Sequence, residues 1–191
     1  MQLSSKRKNN MNIRIISGKY GGQQIEAPTN SRTHPMSERV RNALFNSLGA
    51  AVIDADVLDV FAGTGAIGFE ALSRGAAHVT FIERDRIAQK ILANTTKLLQ
   101  ADDQVSIIRT SASNWLRTRD EGKRYDIIFA DPPYHDTQFS TVSEFFGLLK
   151  PNGYMILSHP GRGELPTKTG VVVVDNRSYG DAVLTFYRRE E

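Results

Sequence analysis

Asp131-Pro132-Pro133-Tyr134 places a carboxylate, two stiff residues and an aromatic ring directly after the apolar run Tyr125 to Ala130. An exocyclic amine on a nucleobase is a poor nucleophile because its lone pair is delocalised into the ring, so attack on a methyl donor requires the nitrogen to become tetrahedral. Hydrogen-bond acceptors aimed at its two N–H groups favour that change. Asp131 supplies one acceptor and the Pro132 carbonyl a second, held in place because proline fixes φ and donates no N–H. Tyr134 can then stack on the base. Taken alone, the tetrapeptide equally suits a strand end at which Tyr134 only covers an edge.

A second motif shifts that balance. Val57-Leu58-Asp59-Val60 leads into Phe61-Ala62-Gly63-Thr64-Gly65 and a helical pattern through Leu72, which reads as strand, glycine turn, helix. Gly63, Gly65 and Gly68 satisfy GxGxxG, a pattern that suits a dinucleotide pyrophosphate as well as other nucleoside cofactors. Asp59 is expected to repel a pyrophosphate and to accept hydrogen bonds from a cationic amino group such as that of S-adenosylmethionine. Glu83 ends the run His78 to Ile82, twenty positions after Gly63, where an acid can bind both hydroxyls of a ribose.

The elements around these motifs alternate. Ser37 is expected to cap a helix with Val40, Ala43, Leu44 and Leu48 on one face and Arg39 and Arg41 at its margins. Asp85 caps a helix from Arg86 to about Leu99; next come a strand Val105 to Ile108, a short helix after Ser111 and the strand that delivers Asp131. A helix over roughly Phe139 to Leu149 ends at Pro151-Asn152-Gly153, and strands Tyr154 to Ser158, Val171 to Asp175 and Ala182 to Arg188 complete the chain. The fold class is α/β with a mainly parallel sheet, the last two strands closing it as an antiparallel pair. Ahead of it, Arg14-Ile15-Ile16 and Gln23-Gln24-Ile25 flank a glycine-rich stretch, which predicts a β-hairpin with Lys19 and Tyr20 at its tip.

With 191 residues and 40% hydrophobic content the chain fits one core, so cofactor and substrate are expected to share one fold. No cysteine is present and the four histidines are scattered, which points to no catalytic metal. No signal peptide or membrane-spanning run is seen, so the expectation is a cytoplasmic protein. Residues 1–41 carry eight Lys or Arg against Glu26 and Glu38, a local net of +6, whereas 42–191 carry −3. A positive arm on a mildly negative body suits a polyanion, with nucleic acid the natural candidate.

Together these segments resemble the class I S-adenosylmethionine-dependent methyltransferases and, more closely, the RsmD family, which methylates a guanine N2 amine in small-subunit ribosomal RNA. The likeness runs from Arg14 to about Arg188. It rests on RIISGKYGG, SERVRNALFNSL at Ser37 to Leu48, LDVFAGTGAIGFEALSRGA at Leu58 to Ala76, FIERD at Phe81 to Asp85, and DPPY. It implies a Rossmann-like, seven-stranded sheet whose final strand is antiparallel, with S-adenosylmethionine held by Asp59, Phe61, Ala62, Gly63, Thr64, Gly65, Glu83, Arg84, Ser111 and Ala112. Asp131, Pro132, Pro133 and Tyr134 are then catalytic, and Arg14, Lys19, Tyr20, Arg32, His34, Arg39 and Arg41 meet RNA.

The implied partner is small-subunit ribosomal RNA or the assembling small ribosomal subunit, approached by a monomer. The implied division is a basic tail (1–12), a hairpin and loop in contact with RNA (13–36) and the methyltransferase domain (37–191). His34-Pro35-Met36 stands where the family usually has Arg-Pro-Thr, and Ser111-Ala112 where an Asp or Asn often meets the adenine amine. From the residues alone, methylation of an adenine N6 amine in DNA or of a protein amide, a nicotinamide-dependent enzyme and a non-catalytic RNA-binding module stay open.

Overall fold

The computed structural model describes residues 12–27 and 35–191. Strands β1 (Asn12–Arg14) and β2 (Gln24–Glu26) pair antiparallel, Ile13 opposite Ile25, as the glycine-rich stretch between them predicts. The main sheet holds β3 (Asp56–Asp59), β4 (His78–Ile82), β5 (Val105–Ile108), β6 (Tyr125–Ala130), β7 (Leu149–His159), β8 (Val171–Tyr179) and β9 (Ala182–Arg189), in the order β5-β4-β3-β6-β7-β9-β8. From β5 to β7 all neighbours are parallel, whereas β9 runs antiparallel to both β7 and β8.

Among the described residues five α-helices flank the sheet: α1 (Glu38–Leu48), α2 (Ala66–Ser73), α3 (Arg86–Leu98), α4 (Ala112–Thr118) and α5 (Phe139–Phe145). Alternate residues of the central strands feed two cores. Val57, Phe81, Ile127 and Phe129 pack with Leu44, Phe69 and Leu92 from α1, α2 and α3. Leu58, Ile82 and Ile128 pack with Leu116 and Phe145 from α4 and α5 on the opposite face. A parallel sheet covered on both faces explains why these strands read as unbroken apolar runs.

Ser37 and Asp85 cap α1 and α3 as expected, and Ser111 also caps α4, each side chain accepting a first-turn N–H. Besides the hairpin strands, which lie at Asn12–Arg14 and Gln24–Glu26 and not at Arg14–Ile16 and Gln23–Ile25, three boundaries differ from the expectations. The α-helical part of the Phe139 segment stops at Phe145 and a single 3-10 turn, Phe146–Leu148, finishes it. Pro151-Asn152-Gly153 does not separate helix from strand: β7 begins at Leu149 and takes up these residues as an irregularity in its register with β6, Asn152 adopting φ of 63°. Strand β8 extends to Tyr179 because it is an edge strand paired only with β9, where polar residues such as Asn176 face solvent at little cost.

The hairpin is bolted to the domain. Ile13, Ile15, Ile25 and Ala27 are buried in the same core as α1 and α2, and the Lys19 N–H donates to the Ser73 carbonyl at 2.7 Å. Gly18, at φ of 84°, lies so close that a Cβ there would stand 1.8 Å from that carbonyl oxygen.

Candidate active site

Strand order reverses beside β3, which is joined to β4 on one side and β6 on the other. In open α/β sheets the crevice at such a switch point receives the ligand. The register sets Asp59 opposite Phe129, so the glycine turn after β3 and the tetrapeptide after β6 leave the same sheet edge side by side. Both open into one cleft of about 1030 Å³, walled by Phe61, Ala62, Gly63 and Thr64, by Glu83 and Arg84, by Ser111 and Ala112, and by Asp131, Pro132, Pro133 and Tyr134. Twelve of the fourteen residues expected to bind cofactor or to act in catalysis are in that wall.

The other two, Asp59 and Gly65, lie behind it. Gly65 is buried against Leu92 and Phe69. The Asp59 carboxylate is 1% exposed and accepts from the Gly68 N–H at 3.1 Å. It therefore does not stand at the loop mouth as a ligand for a cationic amine. Gly65, the residue before α2, has no side chain to cap the helix, and Asp59 reaches from β3 to satisfy a first-turn donor instead. Burial pushes the Asp59 pKa up to about 8, the negative charges of Asp131 and Glu83 add to the rise, and the Gly68 N–H opposes it.

A carboxyl whose pKa is raised by folding makes the native state lose stability as pH climbs from the unfolded value of about 3.9 through the folded one. Asp59→Asn should flatten that loss between about pH 4 and about pH 8. Urea unfolding at several pH values checks it; equal slopes for the two proteins would remove Asp59 as the source.

Glu83 is fastened by the turn it serves. One carboxylate oxygen accepts from the Gly63 N–H and the other from the Asp85 N–H, each at 2.7 Å. A carboxylate offers about four lone-pair sites, so both oxygens keep capacity for a ribose diol. Among the described residues, the charged side chains in the wall are Glu83, Asp85, Asp131 and Asp181 against Arg84. A predominantly acidic cleft disfavours a pyrophosphate and suits a nucleoside that carries positive charge. The residues present thus fit S-adenosylmethionine better than a dinucleotide.

The third glycine of the turn motif has a packing role. A Cβ on Gly68 would meet Phe81 Cε1 at 2.2 Å, and Phe81 is itself wedged against Phe69 with ring centroids 4.7 Å apart. Gly68→Ala should cost about 1–3 kcal/mol by overpacking and push α2 off β4. Thermal unfolding measures this; an unchanged midpoint would mean that the helix yields freely.

At the opposite end of the cleft, Ser158 at the end of β7 links the tetrapeptide together. Its Oγ lies 2.8 Å from the Tyr134 hydroxyl. Burial raises the Asp131 pKa and the Ser158 hydroxyl holds it back. Ser158 was missed in the sequence, although a polar residue closing a buried strand at the ligand edge was the available signal. Asp181, on the β8–β9 turn, was missed as well.

The expected RNA contacts divide. Arg14, Lys19 and Arg39 are exposed, Arg14 pairing with Glu38 at 2.9 Å. Tyr20 is not at the surface: its ring is 9% exposed in the core, and its N–H donates to Ser73 Oγ. Arg41 is 1% exposed and cannot meet a phosphate. It faces Glu70 at 3.8 Å and donates to the Met36 and Arg14 carbonyls at 3.2 and 2.5 Å. On α1 the stripe that faces the sheet is Arg41, Leu44, Phe45 and Leu48, which carries Arg41 inward. Arg32 and His34 lie outside the described residues.

The chain matches a family model described as conserved hypothetical protein 95 over residues 13–188. It is 38% identical to ribosomal RNA small subunit methyltransferase D of Escherichia coli K12 over 144 residues, covering 75% of this chain and 69% of that protein. Over 184 residues it is 30% identical to the putative rRNA methyltransferase YlbH of Bacillus subtilis, 93% and 99% of the two chains. The solved structure of the putative methyltransferase yhhF from Escherichia coli superposes with a TM-score of 0.84 at 31% identity, covering 94% of this chain and 99% of that one.

Proposed function

Because the chain belongs to the RsmD family of ribosomal RNA methyltransferases, we propose that it transfers a methyl group from S-adenosylmethionine to the exocyclic N2 amine of a guanine in small-subunit ribosomal RNA. The observation that carries the reading is the single cleft shared by the glycine turn and the Asp131 tetrapeptide. Glu83 binds the ribose hydroxyls, Phe61 to Thr64 form the floor, and Ser111 and Ala112 flank the adenine. When bound, the cofactor supplies an electrophilic methyl carbon on a sulfonium.

The protein's own groups then position the acceptor. Asp131 and the Pro132 carbonyl accept the two amine N–H bonds and tighten as nitrogen pyramidalises. The new N–C bond forms as the S–C bond breaks, and the surplus proton leaves the nitrogen along the hydrogen bond to Asp131 towards solvent. Tyr134, held through its hydroxyl by Ser158, offers its ring face to the base. Tyr134→Ala should weaken RNA capture by roughly 1–3 kcal/mol, as loss of one stacked base does. Filter binding of ribosomal RNA checks it, and unaltered affinity would make Tyr134 an edge cover.

In this reading residues 13–36 form an arm that meets RNA through Arg14 and Lys19, residues 37–191 carry out the transfer, and the protein acts as a monomer in the cytoplasm on ribosomal RNA or the assembling small subunit. Incubation with methyl-labelled S-adenosylmethionine and either ribosomal RNA, small subunits or DNA, followed by digestion to nucleosides, tests it. N2-methylguanosine from RNA is expected; N6-methyladenosine, or label only in DNA, would overturn the assignment.

A further inference from the structure

Resting on that reading, we propose that a nucleotide next to the target guanine is held in a side cavity between the start of α1 and the β8–β9 turn, its phosphate on Arg39 and its base against Tyr179. A base drawn into a deep cleft leaves its flanking phosphates outside, so the strand must cross the rim. Ser37, Val40 and Tyr179 line both the main cleft and a neighbouring cavity of about 360 Å³, so the two spaces share a wall.

Charge sets the direction across that wall. Arg39 lines only the side cavity and Asp181 only the main cleft. A phosphate is attracted by the first and repelled by the second, while the N–H edges of a guanine prefer the reverse. Arg39 is exposed, and its neighbour Glu38 is already engaged by Arg14. Its guanidinium fork is therefore available to phosphate oxygens.

Tyr179 is built as a platform. Its ring packs against the hydrophobic core while the residue lines both the side cavity and the main cleft. Gly180 follows and adds no side chain over the cavity. An aromatic face fixed in this way can stack any base, which suits a position that holds a neighbour and does not read it.

Anisotropy titration with fluorescein-labelled single-stranded oligoribonucleotides containing one guanosine, intact or lacking the base on one side of it, tests the proposal. Wild type should bind one of the two abasic strands about tenfold more weakly. Tyr179→Leu, which keeps apolar packing, should bind the intact strand about tenfold more weakly and be indifferent to the missing base. Arg39→Ala should reduce the slope of log K against log salt by about 0.7, the value for one phosphate on a single strand, and Arg39→Lys should restore it.

Tyr179→Leu discriminating between the strands as wild type does, or an unchanged salt slope in Arg39→Ala, would overturn the subsite. Arg39 is exposed, so its slope decides even if the Tyr179 variant unfolds. Calorimetry with S-adenosylmethionine separates the two levels: wild type that binds and transfers methyl while both variants behave normally defeats the subsite alone, whereas wild type that does not bind it defeats the parent reading too.

Discussion

Asp131→Ala should lower turnover by about two to three orders of magnitude, a loss of about 2.7–4 kcal/mol in transition-state stabilisation, while S-adenosylmethionine affinity stays nearly constant. The size reflects preorganisation. Asp131 follows β6 directly and lines the cleft with Ser158 and Tyr134, which are fixed to each other at 2.8 Å, so its acceptor strength acts on the pyramidal nitrogen with little reorganisation. Because burial raises the Asp131 pKa, activity should also fall on the acid side at a pH above the ordinary carboxylate range, as protonation removes the acceptor. Single-turnover rates and a pH profile, alongside calorimetry of cofactor binding, check both points. A variant within tenfold of wild type would make Asp131 a structural residue.

Glu70→Ala should destabilise the fold by about 3–5 kcal/mol, the usual result of stripping one partner from a buried ion pair. Glu70 is fully buried and serves four groups: the Ile16 N–H at 2.7 Å, the Ser17 N–H at 3.2 Å, Arg74 Nε at 2.7 Å and Arg41 Nε at 3.8 Å. Its removal leaves the Arg41 charge buried without a counter-ion, and burial already lowers the Arg41 pKa. For a chain of this size each kcal/mol moves the melting midpoint by about 2–4 °C, so a drop of roughly 6–20 °C is expected by calorimetry. Since the same carboxylate ties the hairpin to α2, RNA affinity should fall further than cofactor affinity below the transition. A midpoint shift under about 3 °C would show that Arg41 finds another partner.

The cleft was legible because its residues stand at the ends of strong patterns. Tyr125 to Ala130 and Val57 to Val60 are apolar runs, and the residues directly after such a run in a parallel sheet face the ligand edge whatever the rest of the chain does. The hairpin interface was not legible. Tyr20 and Arg41 are residue types that usually meet solvent, and only the docking of β1 and β2 against α1 and α2 encloses them. A clue was present in α2, whose eight residues are all buried: an acid inside a helix without a polar face requires a cation, and Arg41 and Arg74 are the cations it received. Asp59 misled for the opposite reason. Its position at the end of β3 is the usual one for a ligand, but a glycine before α2 made the helix the nearer claimant.

The contact of Gly18 with the Ser73 carbonyl gives α2 a second duty. This strut, about 12 Å long at 1.5 Å per residue, has the cofactor bend at one tip and the arm at the other. A shift of the arm should therefore tilt the bend. Gly18→Ala, whose Cβ would stand 1.8 Å from the Ser73 oxygen, should then weaken S-adenosylmethionine binding in calorimetry, though Gly18 does not line the cleft.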